Sequence, residues 1–246
     1  MSDDRALMPI SATRREVAAQ PEVVARVFEQ LHDSVRALAR ELAGRGVRQV
    51  LAAGSGDSWF AAQAVRLAFE RHAGLRMEPY QAYEYAAYGA PDVDDRTAII
   101  VISSSGRPTT TWDALDLALA SPAYVIGVTD RNAPENPFVA RPHTALVPGA
   151  QKVGWPAQTT TATIALLLDL AIALGRERGH LSASDAERLE GALREIPERI
   201  AQVLTEARDW AHDLAVTLGG RRFYTFVGSG PSYAVAQVSS ALLAEG

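Results

Sequence analysis

Apolar positions near the start of the chain recur at three- and four-residue steps. Val24, Val27, Phe28, Leu31, Val35, Leu38 and Leu42 fall on one helical face, which predicts a helix over residues 13–45. Pro21 fits the first turn of a helix, where its missing N–H does no harm. Gly44 and Gly46 end the pattern. Short apolar runs at 47–53, 75–79, 97–103, 124–129 and 144–147 then read as strands, separated by helical stretches at 58–71, 82–88 and 109–120, with a long helix from about 160 to 174. In the third run, Ala98 to Ile102 is apolar without alternation, as expected of a strand buried on both faces. Strands separated by helices of this length predict an α/β fold with a doubly wound parallel sheet flanked by helices. Ligands of such sheets sit at the carboxyl ends of the strands, near the switch point. The loops after Ala53, Ser103 and Val147 are therefore the places to look. Residues 182–218 are helical again, with Ser184 as the expected cap, and read as a connector. A strand at 222–227 and a helix at 231–244 follow.

The chain contains an internal repeat. Gly54-Ser55-Gly56-Asp57-Ser58-Trp59 and Gly228-Ser229-Gly230-Pro231-Ser232-Tyr233 share two glycines, two serines and a following aromatic. Ala62-Gln63 matches Ala236-Gln237 in the same register. Both copies follow an apolar run and open an amphipathic helix, so duplication is the better reading. The expected organisation is a helical segment at 1–46, a first domain at 47–180, a connector at 181–220 and the start of a second, similar domain at 221–246.

Composition narrows the chemistry. Hydrophobic residues make up 48% and charged residues 22% of 246, ordinary for a globular protein. The net charge is -5, and the densest basic spots are the pairs Arg14-Arg15 and Arg221-Arg222, which argues against a nucleic-acid partner. There is no cysteine, which excludes disulfides, thiolate chemistry and cysteine-based zinc sites. The five histidines are scattered without ligand spacing, so no metal or cofactor is expected. Met1 to Arg5 opens with acids and no apolar stretch follows, unlike a secretory signal. The longest apolar run, Thr163 to Leu168, stops at Asp169, short of a membrane span. A cytoplasmic location with no membrane partner is expected.

Ser103-Ser104-Ser105-Gly106-Arg107-Pro108-Thr109-Thr110-Thr111 ends a buried strand and opens a helix. Helix N-termini offer unpaired N–H groups and a partial positive charge, which suit phosphate. Gly106 permits close backbone approach, Pro108 suits a helix start, and six hydroxyls exceed what one cap needs. Gly54 to Ser58 is a second such turn, either a site wall or a tight turn capped by Asp57 or Ser58. Gln158, Thr159, Thr160 and Thr161 could line a polar pocket or merely cap the long helix. Trp59, Trp112 and Tyr124 read as core. A dinucleotide fingerprint is absent, since Trp59 stands where its third glycine would be.

At these residues the sequence resembles the sugar isomerase (SIS) family. It is similar in particular to double-SIS phosphosugar isomerases and deaminases and to the isomerase half of glutamine–fructose-6-phosphate amidotransferase. Glu16-Val17-Ala18-Ala19-Gln20-Pro21 resembles the opening motif of that group. Gly56-Asp57-Ser58 resembles its first turn, Ala82-Tyr83-Glu84-Tyr85 its Ala-Ser-Glu-Phe segment, and Ser103-Ser104-Ser105-Gly106 its phosphate loop, Ser-x-Ser-Gly-x-Thr. The resemblance implies a phosphosugar ligand held by Ser58, Ser103, Ser104 and Ser105 around Gly106. It implies Glu245 as the base that moves a proton between C1 and C2. The chain departs from the pattern at several positions. Pro108 replaces the loop threonine, leaving Thr109 or Thr110 to stand in. Gln151, Pro156 and Gln158 replace an acid, a serine and a lysine, and Leu242 replaces a second lysine. The family's ring-opening histidine would fall beyond residue 246. The expected function is aldose–ketose isomerisation or amino-sugar-phosphate deamination of hexose(amine) 6-phosphates, or else non-catalytic phosphosugar sensing. The resemblance, with surplus apolar positions on the N-terminal helix and on the long helix after Thr159, also predicts a homodimer. With one strand and one helix of a second domain, the chain is expected to be an incomplete double-SIS protein, catalytically silent alone.

Overall fold

The computed structural model describes residues 10–245. Residues 1–5, read above against a secretory signal, lie outside that range. The first helical stretch is two helices, α1 (Ile10–Ala18) and α2 (Gln20–Gly44), meeting at Ala19. Pro21 supplies the reason. It has no N–H for the Val17 carbonyl, and the Gln20 side chain donates to that carbonyl instead, at 3.1 Å.

The centre is a five-stranded parallel sheet of β1 (Gln49–Gly54), β2 (Arg76–Gln81), β3 (Thr97–Ile102), β4 (Tyr124–Val128) and β5 (Thr144–Leu146), in the order β2-β1-β3-β4-β5. Gln49 pairs in register with Arg76 on one side and Thr97 on the other. Between the strands lie α3 (Asp57–Ala68), α4 (Ala82–Tyr88), α5 (Thr109–Leu119) and the short α6 (Pro137–Ala140). A single π-turn, Phe69–Ala73, continues α3. After β5 come α7 (Gln158–Glu177), α8 (Ala183–Glu206), α9 (Arg208–Leu218) and α10 (Pro231–Glu245).

Alternation along the strands sorts the core into two layers. Ala98, Ile100 and Ile102 of β3 pack with residues of α2, α3 and α7. Ile99 and Val101 face the other way, towards Ala114, Leu115 and Ala118 of α5 and Tyr85 of α4. All of β3 is buried, as its unbroken apolar run requires. The apolar stripes of α2 and α7 satisfy one another within this core. They therefore supply no surplus face, and that argument for a homodimer falls away. Helix α7 is long and apolar enough to cross a membrane, contrary to the reading from its longest apolar run, but 83% of the relevant window is buried as a core helix.

Two local expectations fail. Ser182, not Ser184, caps α8, accepting from the Asp185 N–H at 3.1 Å. Residues 222–227 form no strand: Phe223 is 91% exposed and Val227 87%. Their composition suits a strand, but among the described residues no neighbouring strand pairs with their backbone.

Candidate functional site

The strand order reverses direction between β1 and β3, because β2 lies on one side of β1 and every later strand on the other. The turn after β1 and the serine loop after β3 are therefore neighbours at the carboxyl edge of the sheet, where α/β proteins bind ligands.

The serine loop is fixed from behind. Ser103 N–H donates to Val128 O at 2.9 Å, and Asp130 N–H to Ser104 O at 3.0 Å. The Thr129 hydroxyl also donates to Ser104 O, at 3.2 Å. Gly106 has φ +65°, and a Cβ there would lie 2.3 Å from Asn136 Oδ1. Only glycine fits this position. Asn136 is fully buried and acts as a strut. Its amide donates to Thr129 Oγ1 at 3.0 Å and Arg131 O at 2.7 Å, and its Oδ1 accepts from the Phe138 N–H at 3.1 Å. Trp112 closes the front by donating from Nε1 to Gly106 O at 2.7 Å. The residue is 41% exposed, so Trp112 is a surface brace and not the core residue expected.

Within this frame the serines differ. Ser103 is buried and its Oγ accepts from Thr111 Oγ1 at 3.2 Å. Ser104 and Ser105 are half-buried, Thr109 is exposed and Thr110 half-buried. Pro108 is the N-cap of α5 and has no N–H of its own. Among the described residues the backbone N–H groups of Ser104, Ser105, Thr109 and Thr110 find no acceptor. A loop with that many free donors at the start of a helix is suited to a tetrahedral oxyanion.

The neighbouring turn is tight for a steric reason. A Cβ on Gly54 would lie 2.8 Å from Ser58 Cβ, and Gly56 caps α3 at φ 53° without any side-chain bond. Neither Asp57 nor Ser58 is the cap. Ser58 N–H donates to Ser55 O at 3.2 Å, and the buried Ser55 hydroxyl has no partner. Gln158 to Thr161 supply no side-chain cap, since the N-cap is Ala157, but Thr160 and Thr161 line a cavity of largely apolar character and Gln158 a separate cleft. Gln158 is buried and donates to Gln151 O at 2.9 Å, while Thr161 donates to Gln20.

Two acids flank the serine loop: Asp57, which the sequence offered only as a cap and as part of the first turn, and Asp130, which no motif flagged. Asp57 follows β1, and burial holds it above the ordinary carboxylate range. Lys152 partly offsets this and Glu245 adds to it. Asp130 follows β4, and burial pushes it up to about 6. The Ser104 side chain, the Ala150 N–H at 3.0 Å and Lys152 offset part of that shift. Glu245 lies exposed in the last turn of α10, whose packing on α3 brings it within electrostatic reach of Asp57. Among the described residues no three His, Asp or Glu side chains gather as a metal site.

The opening motif acquires a role. Glu16 is buried and accepts from the N–H groups of Val153, at 2.5 Å, and Gly154, at 3.2 Å. Thr13 Oγ1 accepts from Trp155 N–H at 3.0 Å. Helix α1 thereby clamps the loop that leads from β5 into α7. Beside it, between α3, α7 and α10, lies an apolar cavity of about 420 Å³ lined by Phe60, Trp155, Val238 and Leu242 among others. Its lining contains no charged residue, and its polar groups are Thr13, Gln20, Thr160, Thr161 and Ser239.

A parallel sheet with a loop of free backbone donors at its switch point defines the class. The chain belongs to the SIS domain family, which matches residues 45–173, just over half its length. Curated relatives include the glutamine–fructose-6-phosphate aminotransferase (isomerizing) of Aeropyrum pernix, 27% identical over 224 residues, which covers 88% of this chain and 35% of the relative. The Symbiobacterium thermophilum protein of the same name is 32% identical over 196 residues, covering 78% and 31%. The chain spans about a third of the length of these relatives. In fold it is similar to the C-terminal domain of glucosamine-fructose-6-phosphate aminotransferase from Francisella tularensis. There the TM-score is 0.81 at 18% identity, over 96% of this chain and 66% of that one.

Proposed function

We propose that this protein binds a phosphorylated hexose or hexosamine with its phosphate on Ser103–Gly106 and the start of α5, and serves aldose–ketose isomerisation or amino-sugar-phosphate deamination. The observation that carries the reading is the braced serine loop, with four free N–H groups at the switch point. Ser58 stands on the adjoining turn, and Thr109 and Thr110 take the place left by Pro108. The names of the relatives agree with a hexose phosphate ligand. Glu245 is the proposed base, with Asp57 beside it. We read the chain as a helical segment to residue 46, a SIS unit at 47–180, a connector at 181–220 and the beginning of a second unit from 221. We further propose a cytoplasmic homodimer.

A non-catalytic sensor is the second reading. It is favoured by Leu242, which stands where the resemblance implies a lysine and lines the apolar cavity instead.

A thermal-shift panel of hexose and hexosamine phosphates tests the site. At a hundred times Kd, binding stabilises the fold by about 2.7 kcal/mol, a shift of roughly 5 to 10 °C for a domain of this size. Ser103→Ala with Ser105→Ala is expected to abolish the shift. An unchanged response in that variant refutes the assignment. Turnover of fructose 6-phosphate or glucosamine 6-phosphate by a version of the chain extended through a full second unit, removed by Glu245→Gln, separates the enzyme from the sensor.

A further inference from the structure

The chain has 24 lysines and arginines, and only Lys152 is a lysine. We propose that Lys152 is the cation of the phosphate site, closing over Ser103–Gly106 so that its ammonium takes a phosphate oxygen. This inference rests on the serine loop being a phosphate site.

The sheet order carries the argument. Strand β3 lies between β1 and β4, so the serine loop lies between the chain that leaves β1 at Asp57 and the chain that leaves β4 at Asp130. Two strand spacings set those exits roughly 10 Å apart. Lys152 attracts both carboxylates. The ammonium is therefore within electrostatic reach of the chain ends on both sides of β3.

The backbone around Lys152 is built to hold that position. Two residues before it, the Ala150 N–H bonds Asp130 at 3.0 Å, and the Asp130 N–H in turn bonds Ser104 O at 3.0 Å. On one side of Lys152 the Gln151 carbonyl accepts from Gln158 at 2.9 Å, and on the other Val153 N–H is held by Glu16. Lys152 is therefore an exposed side chain on a pinned loop.

Its ammonium takes no part in any ion pair among the described residues. Asp57 and Asp130 set the field around it without pairing with it, which leaves it available to an anion. The bland alternative is a solubilising surface lysine. Every other basic side chain of that kind in this protein is arginine, so solubility gives no reason for one lysine at this place. An ammonium is a compact point charge with three donors and serves phosphate well. It also compensates for the donor lost at Pro108 and for the lysine replaced by Gln158, whose side chain is committed to Gln151 O.

Titration calorimetry with inorganic phosphate and with glucose 6-phosphate tests this on the full chain. The set is the parent, Lys152→Met, Lys152→Arg and the Ser103→Ala/Ser105→Ala variant, with melting curves to show that each folds. Lys152→Met is expected to weaken both ligands about tenfold, the loss of one charge-assisted contact, and Lys152→Arg to restore most of it. As the sole lysine, Lys152 also gives a single-site readout: phosphate is expected to slow its acetylation, followed by peptide mass spectrometry. If Ser103→Ala/Ser105→Ala loses binding while Lys152→Met binds as the parent does, the inference is overturned and the phosphate site stands. If the serine variant binds like the parent, or the parent binds neither ligand, the site assignment fails and the inference fails with it.

Discussion

Single residues set the electrostatics of this site against its stability. Asp130 has a folded pKa of about 6, above its ordinary 3.8, because burial disfavours its charge. The sign follows directly. A carboxyl raised on folding favours the folded state when protonated, so its contribution is lost as pH rises from about 4 through 6, and above that range the charged form is a standing cost. Two pKa units correspond to at most about 3 kcal/mol. Asp130→Asn keeps an oxygen for the Ala150 N–H and removes the charge. It is expected to raise the melting temperature at pH 8 and to leave it unchanged near pH 4. A gain of equal size at both pH values would contradict the assignment. No sequence pattern marked Asp130 or Lys152, because their proximity arises only when β4 and β5 are paired beside β3. The serine loop was legible, since three serines and a glycine after a buried run state their own chemistry. The inward role of Ser103 was not legible, because Thr111 reaches it only once α5 has formed.

At the level of elements, the strands were readable from their apolar runs, and their ends shift by a residue or two. The start of the chain was partly readable. Periodicity marked a helix, but the break at Ala19 depends on Pro21 and on the Gln20 side chain that replaces its missing bond. Glu16 looked like one letter of a motif, whereas it is the acceptor that ties α1 to the loop entering α7. Glu16→Ala leaves two N–H groups without their acceptor and is expected to cost about 1–3 kcal/mol. Hydrogen exchange at residues 150–155 is expected to quicken in that variant, while the strands stay protected. Uniform loss of protection across the sheet would instead make Glu16 a general stabiliser. The stretch 222–227 shows the opposite failure. Its residues have strand propensity, yet propensity is satisfied only when neighbouring strands take up the backbone groups.

The whole molecule presents an uneven surface. Apolar stripes of α2 and α7 are consumed in the core, while Phe223, Val227, Val216, Trp210 and Val235 are 91%, 87%, 71%, 65% and 62% exposed. Where exposed apolar groups form a contiguous patch they mark a surface that associates, and these residues are the candidates for one here. Light scattering is therefore expected to show concentration-dependent pairing, and Phe223→Glu with Val227→Glu to reduce it. A parent chain that remains monomeric at high micromolar concentration contradicts the proposed homodimer. The apolar faces of α2 and α7 that the sequence offered for pairing are buried, because periodicity reports an apolar face without saying which neighbour covers it.

The bracing of the serine loop by Asn136, Thr129 and Trp112 has a consequence for discrimination. A receptor that moulds itself around its ligand can adjust to several shapes and favour one. This loop is held in place from behind and in front before anything arrives, so the ordering of its backbone was completed when the chain folded. On the proposed reading, exchange of water for phosphate oxygens is all that remains there, and every phosphate monoester offers the same oxygens. That reading then assigns the choice among sugars to the neighbouring turn at Ser55, Asp57 and Ser58 and to α10, where the repeated turn and its altered residues lie.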